Sequence, residues 1–117
     1  APSEVRTDVD QLFEALSLRE GLLPSVERQV RDDPGASAVS VAKALGLSAR
    51  SLQRALAELG ETFVGVRGRI RMEVADLLLA EGMLVKQVGT RVGFASTSHF
   101  VAWYRAQRGT TPGIARP

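Results

Sequence analysis

The chain of 117 residues has no cysteine, a single histidine, and six aromatic residues in all. Without a thiol there is no disulfide framework, no thiolate zinc site and no cysteine nucleophile. A lone His99, with neither cysteine nor a second histidine to join it, does not make a metal site. Ser98 precedes it in sequence, but a catalytic pair also needs a convergent acid and an oxyanion hole, and nothing in the chain marks either. No apolar run approaches the roughly 18 residues of a membrane span, and no charged-then-apolar leader opens the chain. These absences argue against an enzyme, lead to the expectation of no cofactor, and favour an intracellular setting. The start at Ala1 rather than Met leads to the expectation of a larger parent protein.

What is present suffices for a core: 44% of the residues are apolar, and the length suits one domain or two very small units sharing packing. The net charge of +2 hides a division. Residues 1–35 carry four arginines against eight acids, a balance of −4, whereas residues 36–117 carry eleven Lys and Arg against five acids, a balance of +6. Segregated basic charge points toward a polyanion, though basic halves also occur on ordinary soluble proteins.

Helical periodicity runs through the whole chain. Val5, Val9, Leu12, Phe13 and Leu16 form one stripe, with Ser3 as a candidate N-cap, and its acidic outer face suits packing or linkage better than DNA. Leu22, Leu23, Val26 and Val30 form a second, starting near Pro24 and stopped by the turn residues Asp33, Pro34 and Gly35. The central stretch from Phe63 to Glu81 places Phe63, Val66, Ile70, Val74, Leu77 and Leu78 at steps of three and four, which predicts one buried face on a long helix. Gly65 and Gly68 should each cost this helix about 1 kcal/mol relative to Ala, so packing against its neighbours must hold it.

Either side of that rod the chain repeats itself. Ser37 is placed to cap a short helix from Ala38 to Leu45, and Gly46 turns the chain into a second helix from Ala49 to Leu59. Beyond the rod, a short helix from Val85 to Val92 meets Gly93 and Phe94, followed by a helix from Thr97 to Gln107. Gly89, Gly93 and Phe100 echo Ala42, Gly46 and Leu52, with one extra residue in the later turn. A small residue where two helices cross and a glycine where the backbone reverses is the helix-turn-helix pattern. The expected fold is all-α: two helix-turn-helix subdomains (22–62 and 82–117), a connecting helix (63–81) and an additional N-terminal helix (1–21).

On the first corner's second helix, Leu52, Leu56 and Leu59 mark the inner side, which turns Arg50, Gln53, Arg54 and Ala57 outward. Arg can fork onto guanine O6 and N7 and Gln onto adenine N6 and N7, each good pair discriminating by about 1–3 kcal/mol. On the second corner, Phe100, Trp103 and Tyr104 mark the inner side, leaving Ser98, Val101, Ala102 and Arg105 outward with Thr97 and His99 at the flanks. That surface lacks a guanine-reading fork, so the first corner is expected to carry most of the base readout. On the rod, Arg69 is expected to pair with Glu73 and Arg71 to be structural, while Arg67 is open between a phosphate contact and a structural role.

These residues resemble the DNA-binding domain of the AraC/XylS family of bacterial transcription regulators over roughly Leu22 to Arg116. VAKALGLSARSLQRAL is similar to the family's first helix-turn-helix, RMEVADLLL to its linker helix, and VGFASTSHFVAWYRAQRGTTPGIAR to its second unit. The resemblance implies two helices entering successive major-groove segments on one face of double-stranded DNA, usually to activate transcription. It places base contacts at Arg50, Gln53 and Arg54, and at Thr97, Ser98, His99 and Ala102. It also implies a cytoplasmic location in a bacterium, RNA polymerase as a second partner, and an effector or dimerisation domain elsewhere in the parent protein. Gly89 stands where the family usually has Ala, Ala102 where it has Arg, and Ala115 where it has an aromatic residue. The competing reading is a protein-interaction module whose DNA affinity is non-specific. An alkyl-acceptor repair enzyme fused to such a domain would require the cysteine that this chain lacks.

Overall fold

The computed structural model describes residues 21–115, and every regular element among them is a helix. In chain order these are α1 (Leu22–Asp32), α2 (Ala38–Ala44), α3 (Ala49–Glu58), α4 (Phe63–Ala80), α5 (Val85–Arg91), α6 (Thr97–Arg108) and the single turn α7 (Pro112–Ala115). The stripe from Val5 to Leu16 and the closing Arg116 lie outside the described residues.

Local chemistry fixes the starts of four helices. Ser37, Ser48, Thr62 and Ser96 each accept, through the side-chain oxygen, the backbone N–H three residues on. Ser40 returns the bond to the Ser37 N–H at 3.1 Å, closing a reciprocal box. Each such cap satisfies a donor that the helix itself cannot, and contributes about 1 kcal/mol. α1 begins at Leu22, earlier than the expected start near Pro24, because proline in a first turn gives up an N–H that has no helical partner anyway.

The two corners close in the same way. Gly46 and Gly93 take positive φ (75° and 90°), which spares the turn a Cβ clash. Just beyond them, the Leu47 N–H donates to the Ala42 carbonyl at 2.8 Å and the Phe94 N–H to the Gly89 carbonyl at 2.9 Å. The echo read in the sequence is therefore an echo in hydrogen bonding as well. Ala42 and Gly89 are both buried at the crossing, and a methyl on Gly89 would stand 3.0 Å from Phe100 Cβ.

Two cores result. The first joins α1, α2, α3 and the start of α4 around Val26, Val41, Leu52, Leu56 and Val66; the second joins the end of α4 to α5 and α6 around Ala75, Val88, Phe100 and Tyr104. This division corrects the single buried face expected for the central helix. Phe63, Val66 and Ile70 are buried as expected, but the second half buries Met72, Ala75 and Leu79, while Leu77 is 59% exposed and Val74 and Leu78 are only partly covered. At about 100° per residue the two buried sets point in nearly opposite directions, so α4 shows each subdomain a different side. Leu59 also departs from expectation, being 51% exposed: α3 ends at Glu58, so Leu59 no longer follows the helical stripe of Leu52 and Leu56.

Candidate nucleic-acid interface

α3 is amphipathic in the simplest sense. Leu52 and Leu56 are fully buried, and this orients Arg50, Gln53, Arg54 and Ala57, all exposed, toward solvent. Gln53 and Ala57 border a shallow groove shared with the beginnings of α2 and α4, lined also by Ser37, Thr62 and Arg67. Among the described residues, neither Arg50 nor Arg54 has a carboxylate within salt-bridge distance.

α6 presents a second surface. Thr97, Ser98, His99, Ala102 and Arg105 are exposed, as the spacing predicts. Val101 is half-buried rather than fully outward, and with Thr97, Ser98, Ala102, Arg105 and Ala106 it lines an open groove along the helix. His99 lies outside that groove lining. Arg105 likewise has no carboxylate partner among the described residues.

The rest of α6 is anchored. Phe100 and Tyr104 are buried, and Trp103, expected inside, is half-buried with its ring 5.1 Å from that of Phe94 and 6.3 Å from that of Phe100. Tyr104 Oη donates to Asp76 Oδ1 at 2.7 Å, and Arg108 pairs with the other oxygen of Asp76, so one carboxylate of α4 holds two residues of α6. Burial, reinforced by the Asp76 hydrogen bond, pushes the Tyr104 phenol up to about 12.

The arginines of α4 are occupied differently from what sequence spacing suggests. Arg69 does not pair with Glu73. It reaches Glu27 on α1 at 3.0 Å and Glu61 at 3.6 Å, while Glu73 is held by Arg31 of α1 at 2.8 Å. The i,i+4 rule fails here because α1 packs alongside and offers each charge a partner across the helix pair. The hydrogen bond from Arg31 lowers the Glu73 pKa, and that to Glu27 raises the pKa of Arg69. Arg67, open on sequence grounds, donates to the Ala36 carbonyl at 3.4 Å and lies 5.5 Å from the Phe63 ring centroid. Arg71 is structural, as expected: its Nε donates to the Pro34 carbonyl at 2.8 Å and its guanidinium lies 4.9 Å from the Phe94 ring centroid. Burial, then the nearby Arg67 charge, lowers its pKa. No sequence signal links Pro34 to Phe94, and this contact is legible only in the folded chain.

Arg31, Arg69 and Arg108 are thus paired with carboxylates and Arg67 and Arg71 are turned to backbone carbonyls, whereas Arg50 and Arg54 on α3 and Arg105 on α6 have no carboxylate within salt-bridge distance among the described residues. Among the described residues no cluster of His, Cys, Asp and Glu could hold a metal, and no helix is long and apolar enough to cross a membrane.

Comparisons with known proteins agree with this architecture. A family model described as a helix-turn-helix domain matches residues 41–116. An HTH-type transcriptional regulator of Mycobacterium tuberculosis is 34% identical over 106 residues, which is 88% of this chain and 31% of that protein. The chain therefore spans about a third of the length of that relative. A solved transcriptional regulator of Chromobacterium violaceum, described as containing an AraC-type DNA-binding domain, aligns with a TM-score of 0.72 and 26% identity over 83% of this chain and 90% of its own. A DNA-binding transcriptional dual regulator of Escherichia coli K-12 shares the fold, with a TM-score of 0.73 and 23% identity over 80% and 86% of the two chains. Two matching corners, a shared connecting helix and these relatives lead to one assignment: the chain belongs to the AraC-type helix-turn-helix DNA-binding domains of transcriptional regulators.

Proposed function

We propose that this domain reads a specific double-stranded DNA sequence by placing α3 and α6 in successive major-groove segments, and that it does so as the DNA-binding part of a bacterial, cytoplasmic transcription regulator that activates its targets. The observation that supports the reading is the matched pair of corners, each closed by the same turn hydrogen bond and each presenting a helix face with no acid paired to it among the described residues. Arg50, Gln53 and Arg54 supply forked donors to base edges and hence most of the discrimination. Thr97, Ser98, His99 and Ala102 make short contacts to bases, thymine methyls or phosphates, and Arg105 reaches the backbone. RNA polymerase is the second partner, and an effector or dimerisation domain belongs to the parent protein.

Selection from a randomised duplex pool tests this. The expected outcome is enrichment of one bipartite sequence whose binding is weakened by Arg54→Ala. Sequence-blind binding that collapses with salt, or indifference to Arg54→Ala, would instead mean a protein-interaction module whose DNA affinity is counterion release alone.

A further inference from the structure

The two subdomains touch at a point other than the rod. A methyl on Gly93 would stand 2.5 Å from the Gly35 Cα and 2.9 Å from its N, and a methyl on Gly35 would stand 3.2 Å from the Gly93 Cα. The loop between α1 and α2 therefore lies backbone against backbone on the turn between α5 and α6, with no side chain between them. Arg71 bridges the same junction, bonding the Pro34 carbonyl on one side and covering the Phe94 ring on the other. Phe94 in turn packs against Phe100 and Trp103 of α6, at 5.6 and 5.1 Å between ring centroids. A continuous path of contacts runs from the loop of the first unit to the outward-facing helix of the second.

We infer that Gly35, Gly93 and Arg71 are positioning residues that lock α6 relative to α3, so that the domain accepts its two half-sites at one spacing. This rests on the DNA-reading function proposed above. A rod joined to each unit through its own core would let the units tilt about it; the second contact removes that freedom. One inserted base pair moves a half-site about 3.4 Å along the duplex and roughly 35° around it. A helix pair held at two points cannot follow that displacement.

The test uses the whole chain and its selected bipartite site, with the spacer shortened or lengthened by one base pair. The wild type should lose at least roughly ten-fold in affinity on either change, the order expected when contacts to one half-site are forfeited. Arg71→Gln and Gly35→Ala should bind the first half-site alone within about two-fold of wild type but cut the spacer penalty to about three-fold or less. Two variants are needed because either could fail to fold, which circular dichroism reports. Equal wild-type affinity for all three spacers, with both half-sites protected from hydroxyl radical, would overturn the inference and leave the DNA-reading function standing. A folded variant of either kind that keeps the full spacer penalty would also overturn it. A wild type with no preferred sequence would overturn both.

Discussion

At the residue scale, the arginines proposed to reach DNA are ones that pair with no acid among the described residues. Arg54 is exposed on α3 with no acid paired to it among the described residues. Arg54→Ala should therefore leave the thermal midpoint nearly unchanged while weakening binding to the preferred duplex by about 1–3 kcal/mol, with much less effect on random duplex; titration of both duplexes checks this. Tyr104 is the opposite case, a side chain whose polar end is wholly committed to Asp76. Its folded pKa of about 12 lies above its ordinary value of 10, so the folded state holds the proton more tightly. The resulting stabilisation is fully present below pH 10 and is lost as pH rises toward 12, with an upper bound of about 3 kcal/mol. Tyr104→Phe should flatten that part of the stability curve, measured by denaturant titration from about pH 9 to pH 12. The exposed faces at Arg50 to Ala57 and at Thr97 to Arg105 were legible from the sequence because a period of about 3.6 with strong inner residues leaves little choice of side. The partners of Arg69 and Arg71 were not, because Glu27 and Pro34 come from segments 42 and 37 residues away in the chain.

At the element scale, capping serines, turn glycines and short amphipathic stripes are local signals, and they located the corners to within about a residue. The second half of the central helix departs from the single stripe for a physical reason: a helix that packs on two bodies has two apolar faces, and one periodic stripe follows only the first of them. Leu77 kept the period of Phe63, Val66 and Ile70 yet ended 59% exposed, while Ala75, small and inconspicuous, is fully buried. The glycines of these helices separate into two kinds. Gly68 lies within α4, and a methyl there would meet nothing within 4 Å, so Gly68→Ala should raise stability by about 0.4–1 kcal/mol without altering DNA affinity. Gly89 sits against Phe100, whose ring atoms would lie 3.2 Å from a methyl placed on it, so the larger Gly89→Val should force α5 away from α6 and cost about 1–3 kcal/mol. Chemical denaturation of the two variants beside the wild type should give changes of opposite sign, and a Gly89→Val as stable as wild type would mean that α5 and α6 do not meet at this crossing.

At the scale of the whole molecule, the sequence showed a basic portion after residue 35 but not how its charge is distributed, and that distribution governs how binding responds to salt. Arg31, Arg69 and Arg108 lie against Glu73, Glu27 with Glu61, and Asp76, whereas Arg105 has no acid paired to it among the described residues. A cation that neutralises a phosphate displaces a condensed counterion, and each such contact adds about 0.9 to the slope of log affinity against log salt. Arg105→Gln should therefore reduce that slope by about one and weaken preferred and random duplexes alike, the signature of a backbone contact. Arg69→Gln should leave the slope unchanged, because the charge it removes already has two carboxylate neighbours, and the acids it uncovers act through a Debye length of about 10 Å at 0.1 M salt. Affinities measured from about 50 to 200 mM salt for the three proteins decide the matter. If Arg69→Gln lowered the slope as much as Arg105→Gln, the acid-paired Arg69 of α4 would belong to the DNA surface, and the separation between acid-paired cations and the outward-reading face would be wrong.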